Sequence, residues 1–235
     1  GEPGPREWGT LMRTLRLTLT GTVMLALFAG VSGTLVAQGE SDASQLARWH
    51  WANTELAAEL EAMDCSELTE ELDSRALGVL THMRPDWLSP EQRYDWSDSV
   101  AEFGSDYTLH LLQARLALAA VIGLEKHCYG ADLWGDTAAA AQDDLNASAL
   151  VRSPWAVDAE WASETGDRDC DELDEGLDAG AWSLLSLTHA DWLSSESQQD
   201  WSGLSEEEAS SFVTGRLALF AIVGLEKGCY PPTMS

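Results

Sequence analysis

The chain has 235 residues, of which 45% are hydrophobic and 23% charged, the balance of a folded globular protein of one or two domains. Asp and Glu total 40 against 13 Lys and Arg, for a formal net charge of −27. A nucleic-acid binder needs a basic stripe and an anionic membrane surface repels this charge, so both partner classes are set aside and cationic partners stay open.

Residues 1–11 precede the first Met and are left out of the fold reading. From Met12, Arg13 and Arg16 lead into the apolar stretch LTLTGTVMLALFAGVSGTLVA over 17–37. A basic start, an apolar core and a small final residue are the pattern of a secretory signal peptide, cleaved after Ala37. Left uncleaved, the stretch is long enough to anchor the chain in a bilayer, although its Thr, Ser and Gly residues weaken that alternative. The expected organisation is an N-terminal extension and signal segment over 1–37, a helical repeat over 38–130, and a connector with a second repeat over 131–235.

Leu46, Trp49, Leu56 and Leu60 recur near helical spacing and predict a helix over 45–63. Asp64 with Glu67 reads as a capping box for the next helix, which runs to about His82 on Leu68, Leu72, Leu77 and Leu80. Arg84-Pro85 ends it, because Pro disfavours a helical residue before it. Ser89, Pro90 and Gln92 read as the cap, first turn and box closure of a third helix, through Tyr94 and Trp96 to about Phe103. Gly104 or Ser105 breaks the pattern, and a fourth helix spans Asp106 to His127, with Gly130 as its stop.

The order then recurs. Asp169-Cys170-Asp171-Glu172 is a second capping box, and the ten residues from Asp64 match those from Asp169 at seven positions. Arg115 to Tyr129 reads RLALAAVIGLEKHCY and Arg216 to Tyr230 reads RLALFAIVGLEKGCY, with eleven of fifteen positions identical. The register is 105 residues up to Trp96 and Trp201 and 101 residues at Arg115 and Arg216, so four residues are missing between the third and fourth helices of the second copy. Ser153-Pro154 marks a helix start near Trp155. No alternating strand pattern occurs, and the expectation is an all-α bundle, a tandem duplication of a three- to four-helix unit.

Leu116–Leu124 and Leu217–Leu225 are apolar on every side, the mark of fully buried helices. Gly123 and Gly224 are expected to admit a neighbouring helix. Four cysteines in an exported chain imply two disulfides, and copying of a self-contained unit favours Cys65–Cys128 and Cys170–Cys229. Arg115 and Arg216 head the apolar helices, and structural ion pairs are expected to Asp86 or Asp95 and to Asp191 or Asp200. The only lysines, Lys126 and Lys227, occupy equivalent last-turn positions that suit the helix dipole.

Trp87 with Trp192 and Trp96 with Trp201 are matched tryptophans beside aspartates. They are core anchors or an aromatic platform for a ligand, for which a cation or a sugar has the right chemistry. The five histidines fall in no metal signature, and no nucleophile elbow, phosphate loop or dinucleotide fingerprint is present. No cofactor is implied. The expectation is a secreted or periplasmic, non-enzymatic binding or scaffold module for a small molecule or a protein. It contacts a membrane only if residues 12–37 stay uncleaved. The alternative is a small secreted hydrolase using acidic residues shared by the copies.

Overall fold

The computed structural model describes residues 43–129, 147–151, 159–199, 201 and 205–231. The expected signal segment, the expected helix start near Trp155 and the expected stop at Gly130 lie outside them. Among the described residues the protein is helical, and the nearest thing to a strand is one isolated antiparallel bridge between Leu88 and Leu193. The first half holds α1 (Ala43–Trp49), α2 (Leu56–Ala62), α3 (Cys65–Met83), α4 (Ser97–Phe103) and α5 (Ser105–Glu125). The second half holds α6 (Ala147–Val151), α7 (Ala159–Asp167), α8 (Cys170–Thr188) and α9 (Glu206–Glu226).

The four long helices form the core. α5 packs on α3 and α9, α9 on α8, and α8 on α3. Residues 116–124 of α5 and 217–225 of α9 are buried without a break, as helices with no polar side must be. α5 is long and apolar enough to cross a membrane, yet 72% of its apolar window is buried against the rest of the protein. α8 comes close to α9 at Gly180, where a Cβ would lie 3.2 Å from Leu217 Cα.

Both capping boxes form. Asp64 Oδ1 accepts from the backbone N–H groups of Ser66 and Glu67, at 2.9 and 3.0 Å, while Glu67 accepts from the Asp64 N–H at 2.8 Å. Asp169 and Glu172 repeat the exchange at 3.0 and 3.2 Å. The next residue of each box, Cys65 or Cys170, is joined to Cys128 or Cys229, 63 and 59 residues later. Each disulfide ties the start of one long helix to the tail of the next.

The Gly, Lys, Cys and Tyr of the shared GLEKxCY ending each have a physical reason. α5 stops where His127 turns to φ 57, and α9 where Gly228 turns to φ 70. The N–H of Cys128 then bonds back to Gly123 O at 2.8 Å and that of His127 to Leu124 O at 2.9 Å, a Schellman ending. Cys229 and Gly228 do the same at 2.9 and 3.1 Å. Lys126 Nζ donates to the carbonyls of Glu61 and Met63, and Lys227 Nζ to that of Arg168, so each lysine satisfies carbonyls ahead of a capping box. The reversed tail drives Tyr129 and Tyr230 into the bundle.

Those tyrosines correct the expectation for Gly123 and Gly224. A Cβ on Gly123 would stand 2.1 Å from the Tyr129 ring, and one on Gly224 2.1 Å from the Tyr230 hydroxyl. Each glycine opens a notch for the ring that its own disulfide-held tail turns back, not for a neighbouring helix.

Two predicted helices are interrupted. The expected helix over 45–63 breaks between α1 and α2. Asn53 is fully buried there, and its Nδ2 donates to Ala47 O at 2.8 Å and to Ala114 O at 3.0 Å. A buried amide that closes the end of α1 against α5 outweighs the local helical pattern. The expected helix from Ser89 to Phe103 is reduced to a short 3-10 turn at Pro90–Gln92, followed by chain without regular structure over 93–96 and then α4. Ser89 makes no side-chain cap. Its N–H is used instead on Trp192 O at 2.9 Å, and Arg93 holds Leu88 O at 3.0 and 3.2 Å.

Candidate functional site

α3 and α8 each end in one residue of unusual backbone, Arg84 at φ −137, ψ 55 and His189 at φ −140, ψ 55, before a 3-10 turn that carries Asp-Trp. The two turns meet. Ser89 N–H donates to Trp192 O and Ser194 N–H to Trp87 O, both at 2.9 Å, around the buried Leu88–Leu193 bridge. This meeting sets each helix-terminal cation toward the middle of the other half's helix.

His189 Nε2 lies 3.2 Å from Asp73 Oδ2 of α3. Its ring stacks on Trp192, with centroids 3.7 Å apart and planes 5° apart. In the mirrored place, Arg84 lies over the Trp87 ring at 3.9 Å, and its charge acts on Asp178 of α8. A carboxylate of each half thus faces a basic side chain of the other, Asp73 in contact with His189 and Asp178 acted on by the charge of Arg84, and each basic side chain covers a tryptophan face.

The carboxylates are unusual in being inside. Asp73 is 5% exposed and Asp178 7%. Burial pushes Asp73 up to about 6, against the opposing pull of His189 and the Thr188 hydroxyl. Burial pushes Asp178 up to about 7, with the neighbouring Asp174 charge adding and Arg84 opposing. Asp174 is itself raised to about 6 by burial, against a 2.8 Å hydrogen bond from Gln113 Nε2. Oδ1 of both Asp73 and Asp178 has no hydrogen-bond partner among the described residues. Burial thus raises three carboxyls on α3 and α8 toward neutral pH, Asp178 the most. Among the described residues no three His, Cys, Asp or Glu side chains are grouped to hold a metal ion.

Of the residues singled out in the sequence, Trp87 and Trp192 sit on turns whose backbones meet, and the Trp87 ring meets Trp182 at 5.6 Å. Trp96 and Trp201 are half-buried against the core, and Trp96 packs at a tilt on Tyr94 at 4.5 Å. The expected ion pairs of Arg115 do not form among the described residues. Asp86 sits on the exposed turn 4.0 Å from Arg84, and Asp95 caps the Ser97 N–H at 2.9 Å, which holds its carboxyl below the usual range. Arg115 is instead half-buried near Arg75 and Glu71, and burial together with Arg75 lowers its pKa. Arg216 lies over Phe212 at 3.9 Å and Trp161 at 4.5 Å. Asp191 is exposed, and Asp200 lies outside the described residues.

Sequence reasoning missed Asp73, Asp178, Arg84 and His189. The signal was present: at the 105-residue register Asp73 falls on Asp178 and Arg84 on His189. Comparisons of the chain with protein-family models, with curated proteins and with solved structures gave no match.

Proposed function

We propose that the chain is an exported, non-enzymatic helical binding or scaffold module, built from two copies of one disulfide-stapled unit over 38–130 and 131–235. The pair of disulfides at equivalent positions carries this reading. Such bonds persist in oxidising compartments, and a small unit gains most from a staple that closes a long loop.

The reciprocal contacts support the duplication. In a two-fold arrangement, a contact from i to j brings the equivalent contact from the twin of i to the twin of j. Ala43-Ser44 and Ala147-Ser148 stand 104 residues apart, one short of the register that starts at Asp64. Ala43 N–H donates to Ser148 Oγ at 3.3 Å and Ala147 N–H to Ser44 Oγ at 3.4 Å. The paired turn hydrogen bonds follow the same rule. The polar groups at the centre of the molecule are thereby used to join the halves, and Arg84 and His189 cover ring faces that a ligand would otherwise use. Recognition then falls to the outer surface.

N-terminal sequencing and non-reducing peptide mapping of material exported by an expressing cell test the reading. A start at Gln38 with Cys65–Cys128 and Cys170–Cys229 linked is the expected result. A chain kept inside the cell with free thiols, or one retained in the membrane with residues 12–37 intact, refutes it.

A further inference from the structure

We infer that the exposed aromatic and acidic face around α4, built on Tyr94, Trp96, Phe103 and Tyr107, docks a lysine- or arginine-bearing segment of a partner protein. The inference rests on the reading of the chain as an exported binding module, and names the surface and the chemistry of its partner.

The contrast with the protein's other rings carries it. Trp87 is covered by Arg84, Trp192 by His189, Phe212 and Trp161 by Arg216, and Phe220 by Arg168 at 5.2 Å. Each of these faces lies against a basic side chain. Among the described residues no arginine or lysine lies over Tyr94, Trp96 or Phe103, and Arg115 acts on Tyr107 through its charge without lying over the ring. Tyr94 is 66% exposed and packs at a tilt on Trp96, and Phe103 is 47% exposed and stacks on Tyr107 at 5.2 Å. Tyr107 in turn rests on Trp51 at 4.7 Å, which fixes the second ring pair from behind.

The exposed charge around these rings is mostly acidic. Glu91, Asp95, Asp98, Glu102 and Asp106 are all exposed along the same stretch. Its one arginine, Arg93, has its guanidinium on the Leu88 carbonyl. Electron-rich ring faces edged by carboxylates attract a cation both by cation–π contact and by long-range steering. α4, which lies between the two ring pairs along the chain, is seven residues and so about 10 Å long at the helical rise. Three residues of extended chain cover about the same length, which sets the spacing of basic residues in the probe peptide. The face belongs to the first half alone: the position of Tyr94 is Gln199 in the second half and that of Tyr107 is Glu208. One partner segment per chain is therefore expected.

The test uses the full chain with both disulfides formed, titrated calorimetrically with the capped peptide Arg-Gly-Ser-Arg-Gly-Ser-Arg and with its glutamine counterpart. Saturable one-to-one binding of the arginine peptide is expected, with little heat from the glutamine peptide. The double variant Tyr94→Ala/Phe103→Ala keeps the net charge and replaces exposed side chains, so its melting temperature should match that of the parent. Its affinity should fall about tenfold, the effect of losing two exposed cation–π contacts. Equal affinity in parent and variant marks diffuse attraction to an acidic protein and overturns the inference. So does equal binding of the glutamine peptide, and so does a concentration-dependent dimer of the chain that the double variant abolishes. If peptide binding fails while exported, correctly linked protein is recovered, this inference falls and the export reading stands.

Discussion

Replacing Asp178 by Asn should remove most of one identifiable pH dependence. The side chain is 7% exposed, and burial raises its carboxyl from 3.8 to about 7. A raised folded-state value means that the native protein holds the proton more tightly than the unfolded chain. The associated stability is fully present below 3.8 and is lost as pH rises through about 7. At about 1.4 kcal/mol per pH unit, the span from 3.8 to about 7 corresponds to at most about 4 kcal/mol. Asn mimics the neutral acid in shape and cannot ionise. Asp178→Asn should therefore match the parent near pH 4 and exceed it at pH 8 by about 2–4 kcal/mol. For a chain of this size that is roughly 4–16 °C in melting temperature.

The parent's own curve mixes signs, because burial lowers His50, His82 and His110, whose contribution is present above 6.5 and is lost as pH falls. The difference between variant and parent cancels those histidines. Thermal melts of both proteins from pH 4 to 8.5, with disulfides intact, read that difference directly. Parallel curves across the range would refute the argument that burial keeps Asp178 protonated.

Gly123→Ala should cost about 2–4 kcal/mol, since its Cβ would stand 2.1 Å from the Tyr129 ring and the ring must leave its notch. A double-mutant cycle with Tyr129→Leu, read by chemical denaturation, should show that most of this cost is shared between the two sites. His127→Gly should stabilise by about 1 kcal/mol, because His127 alone among the described non-glycine residues has positive φ and its equivalent position is already Gly228. A loss of stability in that variant, measured in the same way, would show that the histidine ring contributes more than the backbone strain costs.

The sequence by itself determined the long helices, their order and their staples. α3 and α8 begin at boxes whose Asp and Glu lie three residues apart, a contact made within one turn and independent of the rest of the fold. α5 and α9 are buried because no arrangement hides a helix apolar on all sides except a central one. The cysteine pairing followed from equivalent positions in the two halves.

Only the tertiary structure decided where the predicted helices stop and which side chains meet. The segments over 45–63 and 89–103 carry good local helical patterns, yet Asn53 and Ser89 find partners in distant parts of the chain, at Ala114 and Trp192. Asp73 and Asp178 look like two more acids among 40 until α3 and α8 cross and set a cation of the other half beside each. Capping and periodicity act over one to four residues and are written in the chain. Burial of a carboxylate, the filling of a glycine notch by a tyrosine and the covering of a tryptophan by a cation depend on which surfaces are brought together, and that is set only when the bundle closes.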